Sequence, residues 1–303
     1  MLDRCVQYLD PQPGKVMVDG TLGGGGHAEA VLEKLAPGGR LVGIDLDDDA
    51  LDASRQRLSR FGDMFIAVKG NYKDAPAILA SLGIAGADGI MLDLGVSSWQ
   101  LDEAARGFSY SMEGPLDMRM DRSAALTAYD VVNTYDEKRL ATVIRDYGED
   151  HFAKRIASFI AERRARQPIT TTVELSDIIT SAIPARFRRR GPHPAKRTFQ
   201  AIRIEVNAEL AGLENTMGTF IGLLNSGGRL CVLSFHSLED RAVKLAMKLA
   251  QDPCKCPKSA PYCVCGKQSL GQMLTRKPET PDEQEQEANP RARSAKLRVF
   301  QRT

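Results

Sequence analysis

Val16-Met-Val-Asp-Gly-Thr-Leu-Gly-Gly-Gly-Gly-His27 decides the fold. Val16 to Val18 is a short apolar run that reads as a buried strand, and it ends in an acid, Asp19. Four consecutive glycines, Gly23 to Gly26, follow. From His27 the period turns helical, with Ala28, Val31, Leu32 and Leu35 on one face. Strand, glycine turn and helix form the cradle that α/β sheets offer to nucleotide-type ligands. Without Cβ atoms the backbone comes close to the ligand, and the amides of the helix N-terminus face it.

The spacing alone does not name that ligand. Gly23-x-Gly25-x-x-Ala28, with Asp45 about 20 residues further on, also fits the dinucleotide fingerprint. In either reading Asp45 ends the second strand and accepts hydrogen bonds from ribose hydroxyls. Two features tilt the choice toward S-adenosyl-L-methionine (SAM). Asp19 sits ahead of the glycines, where enzymes that use SAM often carry an acid near the methionine part. The four-glycine turn also leaves room for a bulky ligand without a pyrophosphate.

Outward from this stretch the rhythm is βα. Leu2, Val6 and Leu9 make a short first helix, stopped by Pro11 and Pro13. Leu41 to Ile44 is strand two, ending at Asp45, and a helix begins at Asp47. Phe65 to Val68 is strand three, followed by Asn71-Tyr72. A helix from about Asp74 to Leu82 leads to strand four, Gly89 to Asp93. Such units at regular spacing predict a parallel, doubly wound sheet. Asp19, Asp45 and Asp93 then fall at strand carboxyl ends, where such sheets bind ligands.

After Asp93 the pattern changes. Leu94 to Gln100 reads as a loop, and Gly107 to Asp121 as a long irregular one, rich in Met, aromatic residues and Gly; a stretch of that length is usually functional. From about Tyr135 to Leu224 the pattern is helical. Leu140, Val143, Ile144 and Tyr147 mark one helix, and Phe152, Ile156, Phe159 and Ile160 a second. Val173, Leu175, Ile178 and Ile179 mark a third, and a long fourth runs from Thr198 to Phe220. Between the last two, residues 186–197 carry six Lys or Arg and no acid, a cluster suited to nucleic-acid phosphates. The predicted division is 1–105 and 225–303 for the sheet domain, with an inserted helical substrate-recognition subdomain at 106–224.

The sheet pattern returns with the turn Asn225-Ser-Gly-Gly and the strand Arg229 to Ser234. Ser237 with Asp240 reads as a capping pair opening a helix. Cys254-Lys-Cys256 and Cys263-Val-Cys265 could hold zinc, but the gaps are tighter than those of structural zinc sites, so no metal is assigned. Glu279 to Glu287 reads as a mobile acidic loop, and Lys296 to Phe300 as a last strand.

The totals set bounds. A chain of 303 residues, 43% hydrophobic and 26% charged, can bury an ordinary core. Its net charge of +2 leaves nucleic-acid binding to a local patch. No apolar run is long enough to span a membrane and no signal peptide is recognisable, so the expected location is cytoplasmic. The six cysteines then read as thiols or metal ligands rather than disulfides.

Several long motifs, in order, resemble one family. They are Asp19 to His27, Leu92-Asp-Leu-Gly-Val-Ser-Ser98, Arg106-Gly-Phe-Ser109, Gly114 to Met120, Arg197-Thr-Phe-Gln-Ala-Ile-Arg203, Ser234 to Arg241 and Asn289 to Ser294. Across essentially the whole chain they look like ribosomal RNA small subunit methyltransferase H. The resemblance implies a Rossmann-like, SAM-dependent methyltransferase sheet with an inserted helical subdomain. It also implies methyl transfer to the N4 amine of one P-site cytidine of 16S rRNA, position 1402 in the family's usual rRNA numbering. The implied partner is 16S rRNA within the small ribosomal subunit, with no membrane and with a homodimer left open.

Carried over residue by residue, the implied cofactor contacts are Gly25, Gly26, His27, Asp45, Tyr72, Asp93 and Gln100. Tyr72 flanks the adenine and Asp45 holds the ribose. The family's members begin with a further short segment containing a histidine, which leaves one contact unaccounted for here. The cysteine segment belongs to only some members and is not catalytic. The competing classes are an NAD-dependent oxidoreductase, which predicts nicotinamide binding, and a non-catalytic RNA-binding module, which predicts RNA affinity without SAM affinity.

Methyl transfer to an amine requires placement of the nucleophile in line with the C–S bond. Many amino-methyltransferases carry an acid or amide, two prolines and an aromatic after strand four. Here Asp93-Leu-Gly-Val stands there instead, and Asp93 with the Leu94–Ser98 loop is the candidate catalytic element. Arg188, Arg189, Arg190, Lys196 and Arg197 are the candidate rRNA contacts. Trp99, Phe108 and Tyr110 are candidate stacking surfaces for an unstacked base. His236 is read as a hydrogen-bonded structural histidine.

Overall fold

The computed structural model describes every residue except Arg189, Arg190, Pro192, Lys258, Ser259, Ala260, Pro261 and Cys263. The chain divides into two compact units: Met1–Gly95 with Gly212–Thr303, and Val96–Ala211.

The first half of the sheet unit alternates helix and strand: α1 (Leu2–Leu9), β1 (Val16–Asp19), α2 (Gly26–Leu35), β2 (Arg40–Asp45), α3 (Asp48–Leu58), β3 (Phe65–Lys69), α4 (Ala75–Ser81) and β4 (Ala87–Asp93). The central strands are near-continuous apolar runs because helices cover the sheet; Met17, Val18, Leu41, Val42, Ile44, Ile90 and Leu92 are all buried. Asp47 caps α3 by accepting from the Asp49 amide at 3.2 Å.

The helical unit follows, with α5 (Ser98–Asp102), α6 (Ala128–Thr134), α7 (Glu137–Gly148), α8 (Ala153–Arg164), α9 (Thr172–Ala182), α10 (Ala185–Arg188) and α11 (Lys196–Asn207). Its core joins Val131, Leu140, Ile144, Ile156, Ile160, Leu175, Ile179 and Ile202 from five of these helices. Residues 107–121 are part of that frame. Phe108, Leu116 and Met118 are buried in it. The Arg106 guanidinium donates to the carbonyls of Arg119 (3.0 Å) and Met120 (3.1 Å). Asn207 of α11 donates to Met118 O (2.8 Å) and accepts from the Met120 amide (2.7 Å). At Gly107, φ is 71° and a Cβ would stand 2.1 Å from Pro115 O, so only glycine fits. The stretch lacks regular structure because side chains bond its backbone in place of a ladder.

The chain re-enters the sheet unit through α12 (Leu213–Leu223), β5 (Leu224–Ser234), α13 (Ser237–Gln251), β6 (Gly271–Met273), α14 (Glu283–Ala288) and β7 (Lys296–Arg302). One seven-stranded sheet results, in the order β3-β2-β1-β4-β5-β7-β6. Strands β1 to β5 are parallel, while β7 runs antiparallel to both β5 and β6. Strand order reverses between β1 and β4, and the ligand crevice of a doubly wound sheet lies outside the carboxyl ends at that switch point.

Four sequence expectations need correction. The single helix from Thr198 to Phe220 is two, because Ala208 (φ 48°) and Gly212 (φ 70°) adopt left-handed conformations that end α11 and precede α12. The apolar spacing runs on across the break and hides it. Asn225-Ser-Gly-Gly is not a turn but lies within β5, absorbed by a register shift opposite Ala87 and Gly89. The cap of α13 is His236 with Glu239, one residue earlier than the Ser237–Asp240 pair; Asp240 instead pairs with Arg298 (2.6 Å) and Lys296 (3.2 Å). The acidic stretch is no open loop. Glu279 exchanges backbone hydrogen bonds with Leu297 and accepts from Arg4 at 2.9 Å, and α14 follows it. Helix α6 had no prediction, although Thr127-Ala-Tyr-Asp130 is a readable capping box.

Candidate active site

The site is built by the loops that leave β1, β2 and β4. Gly25 ends the glycine turn with φ 76°, a backbone conformation that favours glycine, and a Cβ there would also crowd Leu58 Cδ1 at 3.2 Å. Gly26 opens α2. At Gly24 an added Cβ would meet nothing within 4 Å, so this is the open face of the turn. Asp45 fixes the loop: Oδ2 accepts from the Gly23 amide at 2.7 Å and Oδ1 from the Asp47 amide at 2.9 Å. The lone pairs that these amides leave over are available to a ligand hydroxyl. Burial pushes the Asp45 carboxyl above its ordinary range.

Asp19 and Asp93 end adjacent parallel strands. Thr21 joins the two strand ends, donating its amide to Asp19 Oδ1 (3.1 Å) and accepting the Asp93 amide on its hydroxyl (2.6 Å). Burial, reinforced by each carboxylate's acidic neighbours, pushes both carboxyls up to about 7. For Asp93 that neighbour is Glu239, itself buried beneath Phe235 and His236. Asp93 Oδ2 lies 3.7 Å from His27 Nδ1. Burial lowers the His27 pKa to about 4, so a neutral imidazole faces the carboxyl rather than an ion pair. Asp93 Oδ1 and His27 Nε2 are buried with no hydrogen-bond partner among the described residues. Buried polar atoms of that kind call for a ligand's donors and acceptors.

Tyr72 opens a short 3₁₀ turn after β3 and packs against Phe220, ring centres 6.4 Å apart, with Lys73 Nζ 6.0 Å from its ring. Carboxylates for ribose hydroxyls and an amine, an aromatic ring, an open glycine face and two unmatched polar atoms suit a nucleoside carrying a charged amino-acid side arm. They fit SAM on chemistry alone.

The sheet unit therefore brings together Gly25, Gly26, His27, Asp45, Tyr72 and Asp93. Gln100 belongs to the helical unit. There its Oε1 accepts from the Ser97 amide (3.1 Å) and completes the capping box of α5. Arg188 donates to Ile183 O (2.6 Å) and Ser181 O (3.2 Å), closing the end of α9. Arg197 donates to Glu149 O at 3.0 Å, and Lys196 is exposed at the start of α11. Arg189 and Arg190 lie outside the described residues. Among the stacking candidates Phe108 is buried, which removes it as a platform. Tyr110 already stacks on His193 at 4.6 Å. Trp99 is 46% exposed, with the Arg106 guanidinium 5.4 Å from its ring. Sequence reasoning missed Thr21 and Glu239. Thr21 was visible inside Asp19-Gly-Thr; Glu239 is brought to Asp93 only by the fold.

A Rossmann-like sheet with these acids at its switch point is that of an S-adenosyl-L-methionine-dependent methyltransferase. Within that class the chain belongs to the MraW methylase family, which it matches over residues 1–303. It is 54% identical over 301 residues to ribosomal RNA small subunit methyltransferase H 2 of Agathobacter rectalis, covering 99% of this chain and 96% of that one. It is 51% identical over 302 residues to ribosomal RNA small subunit methyltransferase H of Lachnospira eligens, covering 100% and 96%. The protein of the same name from Brevibacillus brevis is 50% identical over 302 residues, at the same coverage.

Proposed function

We propose that this chain methylates the exocyclic N4 amine of one cytidine of 16S rRNA, near the ribosomal P site. The relatives' names support rRNA of the small subunit as the substrate class. The observation that carries the chemistry is Asp93, a half-buried carboxyl at the switch point whose Oδ1 is buried and lacks a partner among the described residues.

SAM supplies the electrophilic methyl group. The work left to the chain is positioning and proton handling. Gly25 and Gly26 with the α2 N-terminus, Asp45 and Tyr72 hold the nucleoside, and Asp19 takes the amino-acid arm. The N4 lone pair of cytosine is conjugated with the ring and is a poor nucleophile. Asp93 accepts an N–H from that amine, drawing the nitrogen out of conjugation, and takes the proton the product amine must shed. A carboxyl titrating near 7 suits that role better than an ordinary aspartate. Neutral His27 keeps a second ring nitrogen for hydrogen bonding beside it. Lys196, Arg197 and the arginines at 188–190 hold rRNA phosphates, and Trp99 offers the exposed ring for a displaced base.

The test is incubation with radiolabelled SAM and small ribosomal subunits lacking the modification, with naked 16S rRNA in parallel. Label mapped to N4 of one cytidine supports the proposal. Label at another atom or base, or SAM binding without transfer to either substrate, refutes it.

A further inference from the structure

Between α13 and β6 the chain runs from Asp252 to Leu270 with no helix or strand among its described residues, and none of those side chains is buried. Both ends of the loop are tied. The Leu270 amide donates to Ala250 O at 2.9 Å, and the Met273 amide to Gln251 Oε1 at 2.8 Å. The loop's own apolar side chains do not close it: Tyr262 and Val264 are 73% and 75% exposed. A segment of this length without a core needs some other staple.

What converges in it is sulfur. The Sγ atoms of Cys254, Cys256 and Cys265 all lie within 4.8 Å of one another. Cys254 and Cys265, from opposite arms of the loop, bring theirs to 3.8 Å. That is far outside a disulfide bond of about 2.05 Å. It equals the separation of two thiolates held tetrahedrally at about 2.3 Å from one zinc ion, about 3.8 Å. The Val264 amide donates to Cys256 Sγ at 3.4 Å, a contact that holds this sulfur in place within the cluster. Gly266, directly after the last of the three thiols, turns the chain with φ 62°. Lys255 lies between two of the thiols and Lys267 two residues past the third, cations that offset the negative charge of a zinc–thiolate centre.

We infer that Cys254, Cys256 and Cys265 bind one zinc ion as thiolates, and that this ion is the core of the 252–270 loop. The tight C-x-C gaps argued against a metal while the two pairs stood apart in the sequence. They cease to do so once the fold draws ligands from both arms to one point. On binding, each ligating thiol gives its proton to solvent and no redox partner is needed. A fourth ligand completes the tetrahedron; the remaining thiol of this stretch, Cys263, lies outside the described residues. The site is remote in kind from methyl transfer and structural in role.

The full-length chain, isolated under reducing conditions without chelator, should carry about one zinc per chain by elemental analysis. Cys254→Ser, Cys256→Ser and Cys265→Ser should each bring zinc close to zero while SAM affinity stays within about threefold, which separates a lost metal from a lost fold. Tyr262→Ala should keep its zinc. Cobalt(II) exchanged into the site should give the intense visible bands of tetrahedral thiolate coordination. Chelation should open the 252–270 loop to protease before the rest of the chain. The inference is overturned by a chain that holds no zinc as isolated and retains none when zinc is added, by serine variants that keep it, or by iron with acid-labile sulfide in its place.

Discussion

Asp93 of the sheet unit and Arg106 of the helical unit are both ionisable groups with polar atoms held away from solvent, and their surroundings differ in kind. Asp93 keeps one oxygen without a partner among the described residues, lies opposite a neutral imidazole and has another acid, Glu239, among its neighbours. Nearby Asp19 likewise has acids for neighbours. Arg106 is 2% exposed and spends its guanidinium on two carbonyls that no ladder reaches. Half-buried Arg119 forms a two-pronged pair with Asp117 (2.9 and 2.8 Å) and bonds Ala124 O. In the helical unit buried charge is matched and fixes backbone. In the sheet unit it is left partly unmatched, which costs stability and leaves groups for a ligand.

Substitutions in the two units should therefore move activity and stability in opposite directions. The largest effect is expected at Asp93. Asp93→Asn should lower the methyl-transfer rate by roughly 10² to 10³ while leaving SAM affinity within about threefold. The unaltered enzyme's rate should climb with pH and level off above about 7, as Asp93 loses its proton. Full turnover by the asparagine variant, or a flat profile in the unaltered enzyme, would break the contrast.

Next in size is Arg106→Met, which orphans the carbonyls of Arg119 and Met120. It should cost about 2–3 kcal/mol, read as a lower Tm and a lower urea midpoint. An unchanged midpoint would show that those carbonyls do not depend on it.

A smaller effect of opposite sign is expected at Asp19. Its folded pKa, about 7, lies above the ordinary carboxyl value. The folded chain thus holds an extra proton at mildly acid pH, and the stability linked to it is lost as pH rises through about 7. Asp19→Asn has no such loss. It should be more stable than the unaltered chain at pH 8 by about 1–2 kcal/mol, with the difference fading below about pH 4. Destabilisation at pH 8 would place Asp19 with the matched charges. The smallest effect belongs to the exposed cations: Lys196→Ala should weaken RNA binding only modestly and reduce the steepness of its salt dependence by about one ion's worth. An unaltered salt slope would remove Lys196 from the phosphate contacts.

What could be read from the sequence follows the same divide. Strand β1, the glycine turn, α2 and the acids at 19, 45 and 93 were legible because each is set by neighbours in sequence: an apolar run, a glycine cluster, a polar stop. The fate of 107–121 was not. Its composition reads as a loop, and only Asn207, far along the chain, shows why it is frame rather than opening. Phe108 looked like a stacking ring for the same reason. Gln100 matched a family position, yet the structure shows its side chain capping α5. The end of α11 escaped because Ala208 carries no signal for a left-handed conformation. The convergence of the Cys254, Cys256 and Cys265 sulfurs was not legible, because it is set by the fold and not by spacing along the chain.

The insertion of the helical unit also has a consequence in time. Strand β4 ends at Asp93 and its outer neighbour β5 begins at Leu224, 131 residues later (224 − 93). At roughly 5–20 residues per second of synthesis, β4 waits about 7 to 26 seconds for the partner that covers its edge. During that interval the contiguous residues 96–211 emerge complete and can close their own core. The nascent sheet meanwhile presents Ile90, Met91 and Leu92 on an unpaired edge, the kind of surface that recruits stray strands. A ribosome-bound chain halted in this window is where chaperone dependence of this protein should be greatest.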